Sequence, residues 1–507
     1  MILLEVVEAE RRRATASKAA RDTHEGPTLR HPELAHTPPP QVQNSRIMHS
    51  AYLVLSVGIG VPLFILFRNK QQLDTIKAEQ AYVKANSRPP PPDLVPPYVA
   101  ELPSSLGKAV ECNTWSYVAA TASQDATYSL QYSIPSNETI YIRSNFTEIE
   151  DDQDINSLIT GSLRVSVGSY SQKAATISVA MKDIGDDALR AASVCLMSPN
   201  ASEPGSGWGL AIYVPDDIST EDKYSFDIEL VLPASSDASK LYGLSTYLPS
   251  FNQSFENLET YTNLSQVYIQ GSLGNINFEY VQAASIFVQT SAAEITGTFN
   301  VSDNIRLETV LAPIVANISA YNDGESQPTQ IDVENGNSDV TLNVSLYTFS
   351  NVTAKTFCTP QFMSMVKTFS GILEAAYHHD VSVPRSQLYV LALNSVEPAW
   401  VFVDEVYEGT YDVHTSLGEA IVDRTTDGVD PLGLGRVRSF IDDRTSSSRR
   451  YGWVGWGERP DNSPFTEQGH IEVASSLNNA VLQLTNQPDA DEFTSSKVSS
   501  KAMVSQV

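Results

Sequence analysis

Four groups of residues in this chain are of types that do chemistry. His378, His379 and Asp380 offer imidazole and carboxylate ligands of the kind that hold a metal ion. Asp186 and Asp187, after Gly185, are paired carboxylates of the kind that cleave glycosidic bonds. Asp423, Asp427 and Asp430 space oxygen donors through a polar stretch, as a calcium loop does. Arg436, Arg438, Trp453 and Trp456 combine cations with indoles, the residues that most often anchor binding interfaces.

Spacing removes most of these. Adjacent histidines on a helix point to different faces, and no His-Glu-x-x-His frame is present. Asp186 and Asp187 lack the companion histidine and basic motifs of an acidic-polysaccharide hydrolase and read as a helix cap or a solvated turn. The aspartates at 423–430 lack the glycine and the twelfth-position glutamate of a calcium-binding loop and read as a solvated acidic loop. Gly205-Ser206-Gly207 is not a nucleophile elbow, and no phosphate-cradling glycine loop occurs. The expectation is therefore no catalytic, metal or cofactor-binding residue and no cofactor. The ligand-binding candidates are Arg436, Arg438, Trp453 and Trp456; the competing reading packs their loop over the fold by its own aromatics.

Three cysteines, Cys112, Cys195 and Cys358, show no metal-ligand spacing. They allow one intramolecular disulfide of any pairing, or three buried thiols.

What must position such groups is set by the rest of the chain. Its 507 residues carry a formal charge of −27, which repels nucleic acid and anionic lipid. A hydrophobic content of 41% allows a large core. Residues 1–46 read as a disordered polar tail. Ala51 to Phe67 run without a charge, and as a helix would span about 25 Å, the short end for a bilayer crossing. No cleavage site follows, so the segment reads as a signal-anchor, with a transmembrane and juxtamembrane helix over 47–86. Residues 87–106 are a proline-rich linker.

Orientation is contested. Arg68, Lys70, Lys77, Lys84 and Arg88 favour a cytoplasmic C-terminal flank. Glycosylation sequons at Asn137, Asn145, Asn200, Asn252, Asn263, Asn300, Asn317, Asn343 and Asn351 favour a lumenal or extracellular one. Large domains translocate largely regardless of flanking charge, which favours the second.

From residue 107 the pattern is β. Residues 107–240 form a β-rich region. Within 241–485 a line of about ten residues repeats. Val267–Ile276, Ile286–Ile295 and Ile305–Ile314 follow one another at a step of nineteen, with apolar residues at positions 1, 3 and 10. Position 5 holds a small or turn-forming residue, and position 8 holds glycine or alanine. Further copies open at Tyr242, Ile331, Val390, Tyr411 and Ile471. Such a period predicts stacked rungs that share one apolar interior. Two interruptions stand out: a helical insertion over 361–379, from the stripe Phe362, Val366, Phe369 and Leu373, and a polar loop over 423–469. A disordered tail, 486–507, closes the chain.

In the segments Thr290–Ser302, Tyr407–Ser416, Asp430–Arg436 and Gly469–Ser476 the chain resembles adhesin-type β-solenoid domains. It is similar, more closely, to a family of single-pass membrane proteins of mushroom-forming fungi. That resemblance covers most of 100–485 and departs at 361–379, where the family keeps strands. It implies an N-terminal anchor, a linker and β repeats, and it transfers no catalytic residue.

The expected fold is mainly β: a β-solenoid, or parallel β-helix-like repeat domain, after a β-rich region and one N-terminal transmembrane helix. The expected role is a non-catalytic, membrane-anchored, N-glycosylated surface protein with an adhesin-like ectodomain. Its partners would be the membrane, through 51–67, and a cell-wall glycan or surface protein, with no nucleic acid. A membrane-tethered carbohydrate-active β-helix enzyme is the alternative. An organelle-tethered protein with its positive flank inside is a third reading.

Overall fold

Alternating apolar and polar residues make this chain a strand former, and the computed structural model is mainly β. It describes residues 107–118, 127–135, 138–144, 159–169, 172–182, 192–199, 207–214, 224–234, 243–258, 264–348, 359–425, 428–460 and 468–485. All belong to the unit Pro97–Val507. The expected anchor, linker and both tails lie outside the described residues, as do Cys358, Gly185-Asp186-Asp187, Asp427, Asn137, Asn145, Asn200, Asn263 and Asn351.

Two parallel ladders carry the fold. Ladder one runs, in spatial order, through Trp208–Tyr213, Ile140–Ser144, Gly243–Tyr247, Leu264–Gln270 and the second halves of Ile276–Gln289 and Ile295–Thr309. It continues through Thr329–Asn335, Gln361–Thr368, Gln387–Asn394, Gly469–Ser475 and Gly409–Thr415. Ladder two runs through Tyr224–Leu232, Ile159–Val167, Phe251–Asn257 and the first halves of the same two long strands. It continues through Ile314–Tyr321, Val340–Tyr347, Leu373–His379, Ala399–Val403, Ala480–Leu484 and Ala420–Arg424. The long strands belong to both ladders and join the described strands into one open sheet.

The register is the repeat seen in the sequence. Val267 stands opposite Ile286 and Ile286 opposite Ile305; Ile276 stands opposite Ile295 and Ile295 opposite Ile314. The lines opening at Ile331, Val390, Ile471 and Tyr411 fall in the same column. Three expectations change. The line expected from Tyr242 is displaced by two residues, because Leu244 is the partner of Val267. The expected helix over 361–379 is two strands, Gln361–Thr368 and Leu373–His379. Its stripe at Phe362 and Val366 steps by four, which suits a period of 2 as well as 3.6; burial alternates strictly along Gln361–Thr368, and Phe369 turns outward. The expected loop 423–469 contains an antiparallel hairpin, Arg438–Thr445 with Arg449–Trp456, whose second strand pairs with Gly409–Thr415.

Spatial order departs from chain order near the C-terminal end. Gly469–Ser475 sits between Gln387–Asn394 and Gly409–Thr415, and Ala480–Leu484 sits between Ala399–Val403 and Ala420–Arg424. The chain therefore runs past this level, builds Gly409–Arg424 and the hairpin, and returns to fill it.

Inward residues of both ladders form one continuous core from Leu130 to Leu484. Between the ladders each line turns sharply, and position 5 holds the turn. Thr290, Thr309, Asn335, Thr368, Asn394, Ser475 and Thr415 are all buried. Their side chains donate mainly to the carbonyls of the neighbouring turn: Thr290 to Ser272, Thr309 to Ala293, Thr368 to Ser338 and Ser475 to Glu397. Several also hold their own turn: Asn335 and Asn394 donate to the carbonyls of Asp339 and Pro398, and the hydroxyls of Thr415 and Ser475 accept the N–H groups of Gly418 and Asn478. At position 8, a Cβ on Gly274 would lie 1.9 Å from the Phe251 carbonyl oxygen, so a glycine there lets two turns touch.

Cys112 and Cys195 stand opposite each other on the antiparallel strands Lys108–Cys112 and Ser193–Ser198 and form a disulfide. It closes a long loop, with a sequence separation of 83 between the two positions. Reduction, or Cys195→Ser, is expected to lower stability by about 2–4 kcal/mol through the freed unfolded chain. Thermal unfolding with and without reductant checks this: the shift should be present in the parent and absent in the variant.

Candidate functional site

The four residues chosen from the sequence do come together, at the end of ladder one, but Arg438, Trp453 and Trp456 are buried and Arg436 is only a quarter exposed. Trp453 is 1% exposed and Trp456 4%. Trp453 Nε1 donates to Gln468 Oε1 at 2.9 Å, and Trp456 Nε1 to the Glu405 carbonyl at 2.9 Å. Arg438 is buried and donates from Nη1 to the carbonyls of Glu405 and Tyr407, at 2.6 and 2.9 Å. Its guanidinium lies over the rings of Phe440 and Trp456, and burial lowers its pKa to about 10. Trp456 and Arg438 therefore clamp the hairpin over the Glu405–Tyr407 turn, and both indoles are buried. This burial matches the competing reading, in which the segment packs over the fold by its own aromatics; the hairpin that does the packing was not expected.

Arg436 serves the same clamp. Asp430 Oδ1 accepts the Leu432 N–H and Oδ2 accepts those of Leu434 and Arg436. The Arg436 side chain closes on the same carboxylate from Nε at 3.1 Å and from Nη2 at 2.8 Å. These hydrogen bonds, Arg436 foremost, hold the Asp430 carboxyl far below the usual range. Gly433 and Gly435 supply the positive φ that the wrap requires. An aspartate considered for calcium is thus the hub of its own loop, and Asp423 is hydrogen-bonded by Gln483.

His378 and His379 point to opposite sides of a strand. Burial lowers the His378 pKa. His379 occupies the inward column that holds Ala320 and Leu346 on neighbouring strands. Its Nδ1 meets Asp404 Oδ1 at 2.7 Å and its Nε2 meets Ser386 Oγ at 2.7 Å. Asp404 also accepts the backbone N–H of His379 and that of Val406. Carboxylate, imidazole and hydroxyl in that order are the parts of an acyl-transfer relay. Here the imidazole is 1% exposed and the serine 7%, so the chain of bonds closes the corner between two turns. Sequence reading missed it because the three residues carry no motif. The available signal was an ionisable residue at an inward strand position.

The outward face of ladder one carries half-buried polar and aromatic columns. Tyr268 and Phe287 stack at 4.7 Å. Gln270 donates to Gln289 at 2.9 Å, and Gln289 to Glu308 at 3.0 Å. Arg306 pairs with Glu308 and approaches Asp332 at 3.8 Å. Glu308 stands opposite Glu334, so three carboxylates share this stretch. Burial raises the Asp332 pKa.

Of the described sequons, Asn252 is exposed and accepts the Asn275 N–H, while Asn300 donates to Tyr280 Oη at 2.9 Å. Asn317 and Asn343 are exposed and directly opposite each other on ladder two.

Further along ladder one, Asp412 takes two hydrogen bonds from Arg449, at 3.0 and 2.6 Å, with His414 at 3.7 Å. Burial opposes its charge most strongly, but the bonds from His414 and Arg449 outweigh it and hold the pKa near about 2. A carboxyl depressed in the folded state stabilises above its unfolded pKa, and that stability is lost as pH falls through the folded value. A loss of about 2 kcal/mol is expected between pH 4 and 2 from this residue. Comparing the acid unfolding of Asp412→Asn with the parent checks it; the variant should lack that part of the pH dependence.

No protein-family model matches this chain, and no curated protein does. The resemblance to fungal single-pass proteins therefore gains no support from them. Among solved structures, the chain is similar to a candidate cell adhesion protein from Clostridium sporogenes. The match covers 71% of this chain and 100% of that one, with 8% identity and a TM-score of 0.14. A superposition that loose says nothing about role.

Proposed function

We propose that this protein is a non-catalytic, adhesin-like surface scaffold whose two ladders are faces of a β-solenoid. In this reading residues 51–67 anchor it and the sequons carry glycans outside the cytoplasm. The observation that carries the reading is the in-register stacking of outward side chains. Tyr268 with Phe287, and Gln270 with Gln289 and Glu308, make a surface in which polar groups already satisfy one another. Such a face offers area for contact rather than a cavity for chemistry. The Cys112–Cys195 disulfide supports an oxidising compartment. The test uses full-length protein in sealed vesicles from its host. A C-terminal tag should resist added protease, and glycan-removing enzyme should lower the apparent mass. A digested tag with unchanged mass overturns the compartment and with it the surface role.

A second reading, a carbohydrate-active enzyme, is favoured by Asp332. Its pKa is raised by burial, and it shares a face with Glu308 and Glu334 near the Tyr268–Phe287 stack. Polysaccharide hydrolysis abolished by Asp332→Asn would establish it; no hydrolysis by the parent would remove it.

A further inference from the structure

The turns between the two ladders carry a row of apolar side chains that nothing in the core requires. At positions 6 and 7 of successive lines, Leu273, Val310, Leu311, Phe369, Leu477 and Leu417 are exposed by 56, 45, 59, 58, 53 and 66%. The strand register places them along one corner. In order along the ladder the lines are those of Leu273, Ala292, Leu311, Asn337, Phe369, Val396, Leu477 and Leu417. The turns are tied to one another: Ala292 N–H donates to the Ser272 carbonyl, Leu311 to Ser291, Asn337 to Val310, Val396 to Phe369 and Leu417 to Ser476. At about 4.8 Å per strand the row extends about 34 Å. Exposed apolar side chains are ordinary when scattered; here they recur on the first, third, fifth, seventh and eighth of these lines along one corner, and such a row marks an interaction surface.

Charge selects the occupant. Position 4 and positions 6–9 of these eight lines hold Glu294, Glu308, Glu334, Asp339, Glu397 and Glu419, against Lys367 at those positions and Arg306 beside them, which pairs with Glu308. A second copy of this chain would bring carboxylates against carboxylates, and an anionic bilayer would be repelled in the same way. We infer that this corner docks a basic partner polypeptide, one with an apolar stripe flanked by lysine or arginine. The apolar side chains would supply the buried contact, and the flanking carboxylates would steer approach and set specificity. The inference goes beyond surface display and holds in whichever compartment the chain resides.

The probe is a synthetic amphipathic helix of leucine and lysine, with a leucine–glutamate helix of the same pattern as its counterpart. Full-length protein should bind the cationic peptide, more weakly as salt rises, and should not bind the acidic one. Leu311→Ser with Phe369→Ser and Leu477→Ser should weaken binding at least tenfold. All three positions are exposed, so the thermal midpoint should stay near that of the parent. Val381→Ser, at a residue 96% exposed and off the row, should leave binding unchanged. Equal binding by the triple variant shows attraction by net charge alone and overturns the assignment. So does binding of the acidic peptide, concentration-dependent dimerisation lost in the triple variant, or row-dependent binding to zwitterionic vesicles.

Discussion

Replacing Phe278 by alanine is expected to lower stability by about 3–5 kcal/mol. Phe278 is an inward residue of the strand Ile276–Gln289 and is 2% exposed. Its ring stacks on Phe255 at 4.2 Å from one neighbouring strand and meets Phe299 at 5.1 Å from the other. Alanine would remove the middle of that column and leave a cavity between two rings held apart by the backbone ladder, so the space cannot close. The comparison is Phe369→Ala, which trims an exposed turn residue and should change stability by no more than about 0.5 kcal/mol. Urea midpoints of the two variants measure the difference. Equal midpoints would mean that the column of phenylalanines is not an interior.

The second large effect is expected at Asp404. Its carboxylate bonds the His379 ring, the His379 backbone N–H and the Val406 N–H. Asp404→Ala would leave Nδ1 of an imidazole that is 1% exposed, together with those amides, without a partner. Each buried group left unpaired costs about 1–3 kcal/mol, and a loss of about 3–5 kcal/mol follows. Asp404→Asn should recover part of it, because an amide oxygen can still accept. Ser386→Ala should cost less, since Ser386 holds only the far ring nitrogen. A fluorophosphonate that reacts with activated serines separates clasp from catalysis. No label is expected on Ser386. Labelling that disappears in Asp404→Ala would replace the clasp with a hydrolytic site.

Much of the repeat was legible because parallel pairing forces like residues into one column. A step of nineteen at Val267, Ile286 and Ile305 therefore reads directly as register. The same rule failed at 361–379, where Phe362 and Val366 fit helix and strand equally and the turn at Phe369–Ile372 was hidden in an apolar run. It failed by two residues at Tyr242, where Leu244 and Thr246 leave the frame open until a partner strand fixes it. Tertiary order was not legible at all. No local feature says that Gly469–Leu484 returns between earlier strands, or that Cys112 meets Cys195. The Arg436–Trp456 group was correctly seen as a cluster, but its direction depends on a hairpin whose second strand pairs with Gly409–Thr415. The Ser386, His379 and Asp404 clasp joins two turns, and composition alone does not bring them together.

Cysteine cross-linking across ladder one tests the parallel register most directly. Gln270 and Gln289 stand opposite each other on neighbouring parallel strands, and Glu308 lies one strand further. Adjacent strands place Cα atoms about 4.8 Å apart, within disulfide reach, and next-nearest strands about twice that, beyond it. Gln270→Cys with Gln289→Cys should oxidise to an intramolecular bridge, and Gln270→Cys with Glu308→Cys should not. A bridge in the second pair and none in the first would contradict the register on which the two ladders rest.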